Sequence, residues 1–151
     1  MANELVASAH TVGESNFHLL LTPAYRRAVF RAPLLQELTI AYIKMKLDKF
    51  RVQLLAYNFG PDHLHLFIAN LRFVGEAELV RQIKGFSSFM LRKGHSHLFA
   101  DLLWGDKFWS EGHFYRSVGA VNKKTVQHYI EECQEKHWQK VRQQQTLLAF
   151  A

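Results

Sequence analysis

The chain has 151 residues, a length that suits one domain spanning 1–151 with a sizeable core and is too short for two. Hydrophobic residues make up 48% and charged residues 21%, which is the balance of an ordinary folded protein and excludes a disordered or fibrous one. Its 19 basic residues outnumber 13 acidic ones, giving a formal charge of +6. That charge fits a polyanionic partner and, equally well, a solvated basic surface.

Cysteine usage and the N-terminal residues bear on the protein's compartment. The single cysteine, Cys133, excludes an intramolecular disulfide framework and a zinc ribbon. The chain begins without a signal-peptide pattern, and no apolar run approaches the ~20 residues of a membrane span. We therefore expect a cytoplasmic protein with no membrane segment.

The first half of the chain predicts a strand, a helix and a hairpin. An apolar run at 16–22 ends at Pro23 and is typical of a buried strand. Pro33 suits the first position of a helix that ends near Phe50. The apolar residues predicted to share one face of that helix are Leu34, Leu38, Tyr42 and Met45. Two strand-like runs follow at 52–59 and 64–69, and the Gly60-Pro61-Asp62 turn between them favours an antiparallel hairpin.

The second half predicts two further helices around short strands. One helix runs from Glu76 to about Arg92 and is closed by Gly94; its predicted apolar face comprises Val80, Ile83, Ser87, Met90 and Leu91. A loop at 95–106 precedes short strands at 108–109 and 114–118, and a last helix runs from about 122 to 141. This order predicts an α+β domain with helices on one face of an antiparallel sheet and the other face open.

The clearest candidate for metal chemistry is the segment that begins the third strand. Side chains alternate along a strand, so His63 and His65 share one face, opposite to Leu64 and Leu66. Two imidazoles on an open face can share a divalent metal if a third ligand and water complete its shell. For an isolated His-x-His the commoner interpretation is two half-exposed strand residues without a ligand.

The chain contains a second His-x-His that serves as an internal comparison. His95 and His97 lie after Gly94, in a segment without apolar backing. We predict that this pair binds no metal.

Tyr129 lies on the predicted last helix, with Val126 and Cys133 on the same face. A phenol with a pKa near ~10 needs a metal, a base or a strong field to attack phosphorus. From pattern alone, packing in the core is the commoner role for such a tyrosine.

Two sets of residues could contact nucleic acid. Basic and hydroxyl side chains form a stripe along the second helix: Arg81, Lys84, Ser88 and Arg92. The stripe could follow a phosphate backbone or simply be solvated. The second set contains aromatic side chains near a basic group: Trp109, Phe114, Tyr115 and the basic Arg116. These side chains could stack on unpaired bases or belong to the sheet core.

Several segments, in order, resemble the single-tyrosine HUH transposases of small insertion sequences, including their REP-associated relatives. The matching segments are 17–30, with its Thr-Pro-Ala-Tyr-Arg-Arg turn containing Arg26 and Arg27, then 61–66, 80–88, 103–110, 115–119 and 126–131. The resemblance spans roughly 17–138 and leaves 139–151 as a tail. With 103–110 and 115–119 taken together as one motif of late strands, the segments form five ordered motifs, which are far more specific than any one of them.

The resemblance implies a ferredoxin-like fold and an obligate homodimer that recognises hairpins in single-stranded DNA. It implies that Tyr129 attacks the DNA to form a 5′-phosphotyrosine, with Mg²⁺ or Mn²⁺ held by His63, His65 and a third ligand. It also implies DNA contacts by the following residues: Arg26, Arg27, Arg81, Lys84, Ser88, Arg92, Trp109, Tyr115 and Arg116.

The third ligand is where this sequence departs from the family. Relatives commonly carry a glutamine four residues after the tyrosine, where this chain has Cys133, and Gln134 follows. Helix geometry favours Cys133, whereas the preference of Mg²⁺ and Mn²⁺ for oxygen favours Gln134, which is our prediction.

Two other functions remain open: a non-catalytic single-strand binder, and a zinc hydrolase using His63, His65 and Cys133.

Overall fold

The computed structural model describes residues 16–117. The predicted last helix lies outside the described residues, and with it lie Tyr129, Cys133 and Gln134. The helices and strands are β1 (Phe17–Leu21), α1 (Pro33–Lys49), β2 (Gln53–Gly60), β3 (His63–Ala69), α2 (Glu76–His95) and β4 (Phe114–Ser117). Between 16 and 117, neither α-helix is both long and apolar enough to cross a membrane.

The four strands form one antiparallel sheet in the order β2-β3-β1-β4. With two helices interposed, the chain order is βαββαβ, the split arrangement of ferredoxin-like folds. The predicted α+β class and ferredoxin-like topology are confirmed. The predicted hairpin is also confirmed, because β2 and β3 pair directly across the two-residue turn Pro61–Asp62.

One face of the sheet carries the main core. Leu19 and Leu21 of β1 pair with Leu66 and Leu64 of β3, and all four are fully buried. Burying such side chains contributes roughly 1.5–3 kcal/mol each. The opposite face carries the histidines of β3 and a small second cluster that contains Phe67. The alternation along β3 therefore separates the core from the candidate site.

The face that α1 buries is offset by about one position from the apolar set found at helical spacing. Of that set, Leu34 and Met45 are 50% and 55% exposed, and Leu38 and Tyr42 are partly buried against the core. The buried residues of the helix are Leu35, Thr39, Ile40, Ile43 and Leu47. Apolar residues surround most of this helix, so their spacing alone cannot choose between adjacent faces. Near the start of the helix, the side-chain amide of Gln36 donates a hydrogen bond to the carbonyl oxygen of Phe30.

Helix α2 ends at His95, beyond the predicted end near Arg92, so Gly94 does not close it. Acidic residues occupy its first turn and basic residues its last, which complements the helix dipole. The hydroxyl of Tyr42 and Nε2 of His95 lie 2.9 Å apart, linking the end of α2 to α1. This tertiary contact helps to hold the last turn in place.

The predicted strand at Phe108–Trp109 is wrong. Trp109 makes only an isolated bridge to Pro23, and both aromatic residues are buried in the core. Short aromatic runs suit strands and buried loops equally well, and here core packing decides.

Candidate metal and nucleic-acid site

The β2–β3 hairpin places His63 and His65 side by side on the face opposite to the leucine core. Their ring centroids are 5.0 Å apart in an edge-to-face arrangement. This juxtaposition follows from the two-residue period of the strand. The pair offers two imidazoles to one ligand.

An acidic side chain orients His63. Nδ1 of His63 lies 2.9 Å from Oδ1 of Asp62, and both side chains are largely buried. Asp62 also faces Arg26, whose Nε lies 3.5 Å from Oδ2. Tyr25 and Arg26 have φ angles of 57° and 51°, and this left-handed turn carries Arg26 to the start of β3. Arg26, predicted to contact DNA, therefore also pairs with the carboxylate that holds His63.

Gly60 pairs with His63 across the hairpin and lies directly beneath its ring. A Cβ at Gly60 would lie 2.6 Å from both Nδ1 and Nε2 of His63, closer than a carbon can approach. The absence of a side chain at Gly60 therefore makes room for the imidazole.

We expect Gly60→Ala to displace the His63 ring and weaken Mn²⁺ binding by about 10–100-fold, the usual cost of disturbing the support of a metal ligand. The measurement is a Mn²⁺ titration by calorimetry. Gly94→Ala is the matched control, because a Cβ there meets nothing within 4 Å. Equal Mn²⁺ affinities for wild type and Gly60→Ala would contradict the expected displacement.

His18 of β1 is a third histidine at this site, and the sequence analysis did not identify it. Its Nε2 lies 2.8 Å from Nδ1 of His65, and the two rings stack with centroids 5.0 Å apart. Burial, assisted by the positive charge of Arg116, lowers the pKa of His18 below its usual value. The sequence did offer one sign of a special role for His18, because it is the single polar residue in the apolar run of β1.

The donor set fits a divalent metal in part. His63 and His65 each engage Nδ1 with a neighbour, and Nε2 is then the nitrogen that a metal would take. In the segment 16–117, however, no cluster of three or more His, Cys, Asp and Glu side chains could hold a metal ion. The described residues therefore offer two candidate ligands and not a complete set.

Strand β4 extends the histidine face. Arg116 pairs with His18 and Phe114 with Leu20, so Arg116 and Phe114 project on the same side as the histidines. Tyr115 projects on the other side, where it stacks on Phe17 with ring centroids 5.0 Å apart. Of the two predicted DNA contacts on β4, Tyr115 and Arg116, only Arg116 shares the face of His63 and His65.

The predicted basic stripe of α2 is largely engaged within the protein. Arg81 forms a salt bridge with Glu78 at 2.6 Å. Lys84 donates to the backbone oxygens of Ser110 and Gly112, each at 2.8 Å, and its burial lowers its pKa. Arg92 donates a hydrogen bond to the carbonyl oxygen of Lys107. Ser88 is half-buried and lines a shallow groove together with Arg92. Phosphates would have to compete with these existing partners.

Trp109 has no ring face available for a base. Its side chain is buried, and its indole nitrogen donates a 2.8 Å hydrogen bond to Oγ of the buried Ser87. The predicted stacking role is therefore not compatible with this position, and we interpret Trp109 as a core residue.

An exposed aromatic and basic surface lies at the end of the sheet where β3 begins. The Arg27 guanidinium lies over the ring of Trp104 at 5.2 Å, and Trp104 is 67% exposed. Tyr25, in the same turn, is 78% exposed. The sequence analysis did not identify Trp104 or Tyr25 as contact residues, since periodicity does not reveal exposure in an irregular segment.

The second His-x-His, His95 and His97, lies apart from this site. His95 ends α2 and contacts Tyr42, and His97 is exposed in the following 3₁₀ turn. Neither has a described contact with the hairpin histidines.

Comparisons with known proteins agree with this architecture. A family model described as IS200-like transposase matches residues 11–133. A solved structure of a candidate transposase from Deinococcus radiodurans R1 is 21% identical, with a TM-score of 0.62, over 83% of this chain and 95% of the other. The REP-associated tyrosine transposase bound to a REP hairpin is 12% identical, with a TM-score of 0.54, over 80% of this chain and 65% of the other. No protein with a curated description matches the chain. At these identities the two solved structures show a shared fold.

Proposed function

This chain belongs to the IS200-like transposase family, and from that membership we propose that it cuts and rejoins single-stranded DNA through a tyrosine nucleophile and a divalent metal. Membership makes it an enzyme of DNA cleavage and strand transfer. The observation that carries the metal part of the proposal is the pairing of His63 and His65 on one face, with each Nδ1 held by a neighbour.

The proposed metal is Mg²⁺ or Mn²⁺. Such an ion would polarise the scissile phosphate and place it in line with the attacking oxygen. His63 and His65 would bind it, with Gln134 as the predicted third ligand and Cys133 as the alternative. Arg116, on the same face, would add positive charge near the phosphate.

Tyr129 is the proposed nucleophile. Its phenolic oxygen would form a bond to phosphorus and lose its proton, while the bond from phosphorus to the 3′ oxygen breaks and that oxygen gains a proton. Attack on the phosphotyrosine by another 3′-hydroxyl reverses these steps, so rejoining needs no external energy source. We also propose that the protein is a homodimer in which Tyr129 of one chain can serve the histidines of its partner.

The proposed substrate is a hairpin in single-stranded DNA. The structurally similar REP-associated tyrosine transposase is bound to a REP hairpin, which supports this substrate class here. The exposed surface of Tyr25, Arg27 and Trp104 lies at the His63 end of the sheet and combines aromatic rings with positive charge. Such surfaces stack on unpaired bases beside a hairpin stem.

We expect Trp104→Ala to weaken binding of hairpin DNA with an unpaired flank by about five- to a hundredfold, since stacking on one base contributes ~1–3 kcal/mol. Binding is measured by fluorescence anisotropy in EDTA, so that cleavage does not interfere. Phe73→Ala is the matched control, because Phe73 is 63% exposed and lies beneath Arg51, beyond the other end of β3. Equal effects of the two substitutions would argue against a dedicated stacking surface.

The function is tested by incubating the full chain with labelled hairpin DNA from its own flanking genomic sequence. We expect a covalent protein–DNA adduct and a free 3′-hydroxyl with Mg²⁺ or Mn²⁺ and neither with EDTA. Binding without cleavage in either condition would favour the non-catalytic binder. Cleavage with bound zinc and no adduct would favour the zinc hydrolase.

A further inference from the structure

His18 makes a contact that the proposed reaction does not yet use. It lies in the middle of β1, 8% exposed, where its neighbours Leu19 and Leu21 are apolar. Strand register pairs His18 with Phe67 and Leu20 with His65, so His18 reaches His65 along a diagonal of the sheet. The rings of Phe114 and His18 pack edge to face with centroids 6.1 Å apart. The His18 ring thus contacts both Phe114 and His65.

The two metal histidines are supported in the same way. Asp62 lies 2.9 Å from Nδ1 of His63, and His18 lies 2.8 Å from Nδ1 of His65. A hydrogen bond at one ring nitrogen sets the tautomer and the direction in which the other nitrogen faces a metal. The group at Nδ1 of His63 is the Asp62 carboxylate, and the group at Nδ1 of His65 is the His18 imidazole.

We infer that His18 is a positioning residue, whose Nε2 accepts the Nδ1–H of His65 and thereby turns Nε2 of His65 toward the metal shared with His63. The inference rests on the proposed metal site. His18 is not itself a ligand in this arrangement, because its Nε2 is directed at the opposite edge of the His65 ring from the coordinating nitrogen.

Two substitutions separate a positioning role from a merely structural one. His18→Leu removes the hydrogen bond but suits a buried strand position beside other leucines. His18→Gln keeps an amide oxygen near the place of Nε2 and can still accept from His65. A structural role would favour the leucine variant, whereas a positioning role favours the glutamine variant.

We expect His18→Leu to weaken Mn²⁺ binding by the full chain about 10–100-fold, and His18→Gln to recover most of that affinity. Affinity is measured by calorimetry without DNA. His95→Leu is the control, because it removes a hydrogen bond of similar length, to Tyr42, away from the metal pair. Unchanged affinity in His18→Leu would overturn the inference. A loss as complete as that of His65→Ala would also overturn it, because His18 would then be a ligand.

A second readout does not depend on the metal. Nitrogen-15 spectra of the metal-free protein report which nitrogen of His65 carries the proton. We expect Nδ1–H in the wild type, and a mixture of both tautomers in His18→Leu. An Nε2–H tautomer in the wild type would overturn the positioning role even if Mn²⁺ binds. Failure of the wild type to bind Mn²⁺ while His65 carries Nδ1–H would instead overturn the proposed metal site, and with it the role assigned to His18.

Discussion

Replacing Tyr129 by phenylalanine is expected to abolish the covalent protein–DNA adduct while leaving hairpin binding nearly unchanged. The substitution removes the side-chain oxygen that is proposed to bond to phosphorus, and it removes almost no packing volume. Loss of a nucleophile typically lowers the rate by about a thousandfold or more. The measurement is the yield of labelled adduct on a denaturing gel, beside anisotropy in EDTA for binding.

Tyr57→Phe is the control for that experiment. Tyr57 is 44% exposed and pairs with Leu66, on the leucine side of the sheet, so its hydroxyl is remote from the histidine face. We expect its adduct yield to match that of the wild type. Wild-type adduct formation by Tyr129→Phe would show that another group attacks the phosphate and would remove Tyr129 from the mechanism.

His63→Ala and His65→Ala are expected to stop cleavage and to abolish Mn²⁺ binding, because each removes one of the two proposed ligands that lie among the described residues. Hairpin binding in EDTA should remain, since the proposed stacking surface of Tyr25, Arg27 and Trp104 includes neither imidazole. The measurements are adduct yield with Mn²⁺ and calorimetric Mn²⁺ affinity. Loss of activity in these variants with Mn²⁺ affinity unchanged would mean that the pair serves the reaction in some other way.

The second His-x-His provides the control. His97→Ala changes an exposed side chain and should leave cleavage unchanged. His95→Ala removes the contact with Tyr42 and should lower the free energy of unfolding by roughly 1–3 kcal/mol, again without loss of cleavage. If cleavage falls as far in these variants as in His63→Ala, the metal pair has been placed on the wrong motif.

The sequence predicted the fold class because the determinants of its elements are local. Pro33 starts α1, the Gly60-Pro61-Asp62 turn joins β2 to β3, and both predictions are confirmed. The buried face of α1 could not be predicted, because a helix with apolar residues on several sides does not reveal which of them faces the sheet. Gly94 was predicted to end α2, but a single glycine near a helix end costs only about 1 kcal/mol, which a contact such as that of His95 with Tyr42 can offset.

The sequence by itself determined that His63 and His65 share a face, since strand alternation depends only on adjacent residues. Only the tertiary structure decided what surrounds them. His18 is 47 positions from His65 in the chain, and strand register brings Nε2 of His18 to 2.8 Å from Nδ1 of His65. Lys84 donates hydrogen bonds to backbone oxygens, and Trp109 is buried. Both contacts likewise depend on the path of the segment after α2. Periodicity within one element carries no information about the partner that another element brings to it.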